Sequence, residues 1–325
     1  MIRRAIKICS AIFASIGLNA CADIGHSGQD GKLEGFVVHA HRDRGDIATY
    51  AYIVETSNHS VLIDAGFSAV AGEEIQTMLS DIGKPVAAVL LTHAHPGHYG
   101  GVTAAVGDDI PVLAGVGVAR QFSEYDKKFG ALTGGLMPTI RRGADVIYGH
   151  GQSLTVDAVN FTLNVMGPGE AEVDTWWRVS DGDQEAAFTG GLTTYEVHPI
   201  LTGHSGAWIR SLGIMKREIV PETPIYPGYN PNAKAPSQPF GYQELLDWQI
   251  QYLTDYRNAV ATVAQNRVIM TDGELSEVEN RMRALYPDNR SSIFVTLGAE
   301  TVAAELALEA ALKRADDRLR SLFGG

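Results

Sequence analysis

The stretch Thr92-His93-Ala94-His95-Pro96-Gly97-His98-Tyr99-Gly100-Gly101 decides how this chain is read. Residues 87–92, immediately before its first histidine, form a continuous apolar run, the pattern of a strand buried on both faces. Pro96-Gly97 then breaks any regular structure. Alternate side chains of an extended segment share a face, so His93 and His95 are expected on one side of the strand end. His98 follows one turn later and approaches from another angle. Imidazoles converging at a strand end suit a borderline cation such as zinc. Solvent-facing loop histidines are the competing reading, and the buried strand ahead of them argues against it.

Upstream, residues 36–40, 49–55 and 60–63 read as strands, the last ending at Asp64-Ala65-Gly66. Residues 68–82 read as a helix, with Ile75, Met78, Leu79 and Ile82 on one face and Gly83 as its C-cap. Downstream, a strand at 111–114 and a helix near 118–129 precede a glycine-rich loop at 130–143. Shorter strands near 153–156, 160–165, 175–179 and 185–188 complete a second sheet. After Gly241 the pattern turns helical: Leu245, Trp248, Tyr252, Tyr256 and Val260 recur at three- and four-residue spacing. Ser276 with Glu279 reads as a capping box, and residues 300–323 as a long amphipathic helix. The Pro/Asn/Gly-rich stretch 227–240 is the natural joint, which divides the chain at about residue 235 into an α/β part from residue 35 and a helical extension, 236–325.

With 325 residues, 45% of them hydrophobic, the chain can bury a full-sized core. Its formal charge of -12, with no Lys/Arg cluster beyond the first seven residues, excludes a phosphate-tracking nucleic-acid surface. Residues 1–21 read as a targeting leader: Arg3, Arg4 and Lys7 precede an apolar stretch too short to span a bilayer comfortably. Its end, Leu18-Asn19-Ala20-Cys21, resembles the lipobox of bacterial lipoproteins, which implies a lipid anchor on Cys21. Ala22 after the cysteine points, by the same resemblance, to the outer membrane, with the protein in the periplasm. The only other cysteine, Cys9, lies inside the leader, so no intramolecular disulfide is expected. Residues 22–34 read as a flexible tether.

Taken in order, these segments resemble the metallo-β-lactamase superfamily. Val61-Leu62-Ile63-Asp64-Ala65-Gly66 is similar to its first motif, whose aspartate buttresses the metal histidines, and His93-x-His95-x-x-His98 to its second. Gly167-Pro168-Gly169-Glu170 stands where members carry a third-motif histidine. Phe188-Thr189-Gly190-Gly191-Leu192 and Ile225-Tyr226-Pro227-Gly228-Tyr229 are similar to the fourth and fifth motifs. The resemblance covers residues 36–230 and implies an α/β fold, an αββα sandwich with the site on the edge between its sheets.

Four positions depart from the pattern: Gly97 stands for the second-metal aspartate, Glu170 for a histidine, Gly191 for the bridging aspartate and Tyr229 for the last histidine. Of the second set of ligands only His98 remains, whereas His93, His95 and Glu170 can still make a two-His, one-carboxylate zinc site. The resemblance therefore implies one Zn2+ on His93, His95 and Glu170, with His98 as a further candidate ligand. Without the water-orienting aspartate, His98 and Glu172 are candidate bases, and Tyr229 a candidate hydrogen-bond donor or a plug for the vacated second site. Glu172 could also replace Glu170 as ligand. His204 could substitute for the lost aspartate, while His39, His41 and His150 read as surface, core or turn residues, and Trp176 and Trp177 as core and rim. The expected activity is metal-dependent hydrolysis of an ester, lactone, amide or related bond in a small molecule. The alternative is a non-catalytic binding or scaffold lipoprotein. A redox role would require carboxylates that Gly97 and Gly191 cannot supply. Substrate choice is expected to rest on the 131–140 loop and the helical tail.

Overall fold

The computed structural model describes residues 35–45, 47–122, 124, 143–231 and 243–323. The leader, the tether, Cys21 and the 131–140 loop lie outside the described residues, as do residues 232–240 of the joint and the two that follow it.

Two sheets face each other. The first has the order β1(Val37–Arg42), β2(Tyr50–Glu55), β3(Ser60–Ile63), β4(Val86–Leu90), β5(Val112–Gly115), β6(Val146–Tyr148). The second runs β11(Ile225–Tyr229), β10(Glu185–Thr194), β9(Asp174–Ser180), β8(Val159–Gly167), β7(Ser153–Val156). Tyr52, Val54, Val61, Ile63 and Leu90 from one sheet meet Phe161, Leu163, Trp177 and Phe188 from the other. Helices cover the outer faces: α1(Ala69–Ile82), α2(Pro96–Tyr99) and α3(Val102–Val106) lie on the first sheet. On the second lie α4(Ser205–Glu218), α5(Gln243–Ala264), α6(Asp272–Leu285) and α7(Ile293–Phe323). The result is a helix–sheet–sheet–helix sandwich.

Residue types explain the layers. β3 and β4 carry runs of branched apolar residues because both of their faces are covered. Trp176 and Trp177, adjacent on β9, point to opposite faces: Trp176 joins the helical core, Trp177 the core between the sheets. Both are fully buried, so neither is a rim residue. α1 begins where the Ser68 side chain accepts the Ala71 amide, and it ends at Gly83 in the left-handed conformation.

Several local expectations are corrected. β4 stops at Leu90, so His93 and His95 lie in the loop that follows, not on strand alternation. The capping box belongs to Thr271 and Glu274. Ser276 lies inside α6 and donates to the Asp272 carbonyl, and Glu279 accepts from Ser292. α7 starts at Ile293, seven residues earlier than its amphipathic pattern suggests, and α4 occupies a stretch to which the sequence pattern assigns no element. α4 escapes the eye because Gly206 and Gly213 interrupt it, while Trp208, Leu212 and Met215 supply its buried face.

Candidate metal centre

Four segments converge at one edge of the sandwich: the loop after β3 (Asp64), the loop and short helix after β4 (His93, His95, His98), the loop before β9 (Glu170) and the end of β11 (Tyr229). Thr49, just before β2, bridges Tyr229 and draws the two sheet edges together there.

Asp64 organises the histidine loop. It sits in the left-handed conformation, φ 56°, which an aspartate tolerates better than most side chains. Its carboxylate accepts the Thr92 amide at 2.9 Å, the Thr92 hydroxyl at 2.8 Å and the His98 Nδ1–H at 2.7 Å. The Thr92 hydroxyl hydrogen is thereby committed, and its oxygen, 3.1 Å from His93 Nδ1, is left to accept that ring's N–H. The Gly191 amide also approaches His93 Nδ1, but at a longer 3.4 Å. The two contacts ask opposite things of Nδ1, and metal ligation by His93 uses the tautomer with its lone pair on Nε2. Replacing Asp64 by Ala strands three buried donors and is expected to cost about 3 kcal/mol or more of stability, read by denaturant unfolding. A loss below about 1 kcal/mol would contradict this role.

His93 Nε2 lies 3.3 Å from Glu170 Oε2, and His95 Nδ1 lies 3.5 Å from the same oxygen. All three residues are buried, and one ligand atom from each falls within 4.8 Å of the other two. His93 Nε2 makes no aligned hydrogen bond there. Burial and the neighbouring His98 hold the His93 pKa below its usual value, so the ring is a neutral donor. Burial opposes ionisation of Glu170, yet its contacts with His93 and His95 outweigh that and hold the carboxyl well below the usual range. An imidazole nitrogen and a carboxylate oxygen this close, both out of water, need a proton or a metal cation between them. The donor set fits a divalent metal such as zinc.

The surroundings explain the departures from the family pattern. A Cβ on Gly191 would lie 2.5 Å from Glu170 Oε2 and 2.9 Å from His93 Cε1. Glu170 thus reaches into the space that a side chain at 191 would need. Tyr229 is buried, its ring packs edge-on to His98 with centroids 5.2 Å apart, and its hydroxyl donates to Glu170 Oε2 at 2.8 Å. It therefore fills the region beside His98 and also contacts a candidate ligand. Burial, then the Glu170 charge, raises the Tyr229 pKa far above the ordinary range, so it stays a donor.

Other expected residues stand apart. His98 is fully buried with its ring 4.1 Å from that of His93, but it is outside the three-residue group, and its Nε2 has no partner among the described residues. Glu172 is exposed and also outside that group, so Glu170 and not Glu172 is the candidate ligand. His204 is half-buried at the start of α4 and is not part of the group either. His39 pairs with Glu55 at 2.7 Å, His41 with Glu74 at 2.8 Å, and His150 accepts the Val165 amide. One residue was not anticipated. Asp174 is fully buried, with Oδ1 3.8 Å from His93 Nδ1 and Oδ2 accepting the Ala171 amide. Burial raises its pKa. A lone carboxylate at the start of a strand carries no spacing signal that could have revealed it.

The sequence profile of the metallo-beta-lactamase superfamily matches residues 44–214. Among solved structures, a metallo-beta-lactamase from Pontibacter korlensis aligns with a TM-score of 0.54 at 18% identity, over 69% of this chain and 96% of that one. A beta-lactamase domain protein from Burkholderia ambifaria aligns with a TM-score of 0.57 at 14% identity, over 84% of this chain and 87% of that one. At these identities the likeness is one of fold. No curated protein matches the chain by sequence. With its two-sheet sandwich, its edge site and a profile match over more than half its length, the chain belongs to the metallo-beta-lactamase superfamily and has that family's metal-dependent, hydrolase-type fold.

Proposed function

We propose that this protein is a hydrolase that uses one divalent cation, zinc by preference, held by His93, His95 and Glu170, and that it cleaves an ester, lactone, amide or related bond in a small molecule. The observation that carries the reading is the convergence of two imidazole nitrogens, from His93 and His95, on one buried carboxylate oxygen of Glu170. When bound there, such an ion supplies Lewis acidity, polarising a carbonyl and acidifying water.

The chain's own residues supply the remainder. Asp64 holds the His98 Nδ1–H, so the bare Nε2 of His98 is the atom able to take up a proton, in place of the missing aspartate at position 97. Tyr229 donates to Glu170 and fixes which carboxylate oxygen faces the histidines. Replacing Tyr229 by Phe is expected to weaken metal affinity and activity together by about 10- to 100-fold, with the fold retained. Loss of activity with unchanged metal affinity would instead assign the hydroxyl to the substrate. Export and anchoring through Cys21 remain part of the proposal and rest on the Leu18–Cys21 lipobox; incorporation of labelled palmitate, lost in Cys21→Ser, is the test.

A panel of esters, lactones and amides tests the hydrolase reading. Turnover that follows added zinc and is lost in His93→Ala is expected. No turnover of any member by zinc-loaded protein would favour a binding role on the same fold.

A further inference from the structure

The last helix, α7, carries two apolar stripes on different faces. Its first half packs on the helical core through Val295, Ala299, Val302, Ala303 and Leu306. At about 100° per residue, the same face would continue through Lys313, Asp317 and Arg320, so that stripe ends at Leu306. Apolar residues resume about half a turn round the helix, at Leu308, Leu312, Ala315, Leu319 and Leu322. The four leucines are 61%, 61%, 53% and 70% exposed. Arg257 of α5 holds Glu305 and Glu309. Past that tie, among the described residues, no hydrogen bond or ion pair joins residues 310–322 to another element. Every residue from 311 to 322 is exposed, which leaves about 18 Å of helix without support from the body. So short a helical end is marginal in water, because most helical stability comes from packing an apolar face.

The spacing of the second stripe indicates its occupant. Its intervals of 4, 3, 4 and 3 residues are those of alternating d and a positions in a heptad, with Leu312 and Leu319 at a. Such a seam is narrower than the apolar face by which a helix lies on a sheet or a bilayer. It spans about 21 Å on a helix about 10 Å wide. Two of them face to face bury on the order of 1,000 Å², the lower end for a specific interface. One edge of the seam carries Glu309 and Asp316, the other Ala311 and Arg318. Parallel pairing of two copies sets the acidic edge of each against the Arg318 edge of the other. Antiparallel pairing would set acidic against acidic. Glu309 and Asp316 already pair with Arg257 and Arg320, so the edges choose the direction and the leucines supply the attraction. An acidic edge also disfavours an anionic lipid surface.

We propose that the free end of α7 is a dimerisation arm, which pairs with the same segment of a second copy as a short, parallel, two-stranded coiled coil. An interface of this size gives a reversible dimer, with a dissociation constant on the order of micromolar. The inference is independent of the hydrolase reading, because neither the seam nor its test involves metal or turnover.

Sedimentation equilibrium of the full-length protein tests it, with Cys21→Ser as the parent so that no lipid chain drives association. Leu312→Glu/Leu319→Glu and Leu312→Ile/Leu319→Ile are added to that parent. Both positions are exposed, so the paired variants should fold, which circular dichroism checks. A monomer–dimer equilibrium is expected in the parent, weakened about tenfold or more by the glutamate pair. The isoleucine pair should stay within about threefold of the parent or bind tighter, because β-branched residues at a suit parallel two-stranded coils. Leu322→Cys should form an interchain disulfide on mild oxidation that the parent does not form, since residues 322 of two copies meet only when the helices run parallel. A parent that stays monomeric up to about 0.1 mM, equal association by the glutamate pair, or no cross-link at 322 would overturn the arm. Co-sedimentation of a monomeric parent with vesicles of anionic phospholipid, lost in the glutamate pair, would also overturn it and assign the stripe to a membrane.

Discussion

Glu170→Gln should bind zinc at least a hundredfold more weakly than wild type while remaining folded. Glutamine keeps the shape of the side chain and can still accept from Tyr229, but it has no charge to offer between His93 and His95. Substitution of groups that merely orient a ligand costs about 10- to 100-fold in metal affinity, and removal of a direct ligand should cost no less. Glu170→Ala should lose the metal equally and stability besides, because it empties a buried position packed among His93, His95 and Tyr229. Equilibrium zinc titration against a chromophoric chelator, with thermal unfolding of the same samples, separates the two effects. An unchanged zinc affinity in Glu170→Gln would remove this residue from the ligand set.

Restoring the family's bridging carboxylate with Gly191→Asp should damage the site, not rebuild a second one. The new Cβ alone would fall 2.5 Å from Glu170 Oε2 and 3.0 Å from Asp174 Oδ1, and an aspartate would add charge beside two buried carboxylates. Overpacking costs about 1–3 kcal/mol, and Gly191→Ala should show that part alone. Gly191→Asp should lose more, together with zinc affinity. Because the clash is with Glu170, the alanine variants at 170 and 191 should combine to less than the sum of their separate costs. Denaturant unfolding of the three proteins tests the coupling. Strict additivity, or tighter metal binding by Gly191→Asp, would show that Glu170 does not occupy the space beside residue 191.

The sheets and the histidine loop were legible because they are written in local patterns. Val61–Ile63 and Val89–Leu91 are apolar without interruption, as doubly covered strands must be, and the Ser68 and Gly83 caps bracket α1. Glu170 was legible only through its place in an ordered set of motifs. By itself nothing separates it from Glu172, yet one is buried against two imidazoles and the other faces solvent. Asp174 was not legible, because its role depends on how the loop before β9 folds back towards His93. The helix α4 was missed because Gly206 and Gly213 lower its helix propensity, although Trp208, Leu212 and Met215 recur on one face.

The most direct measurement is the metal content of the purified full-length protein, by elemental analysis after equilibration with zinc and removal of the excess. One ion per chain is predicted, falling to none in both His93→Ala and Glu170→Ala while circular dichroism shows both variants folded. Two ions per chain in the wild type, or none, would contradict a single cation held by these residues.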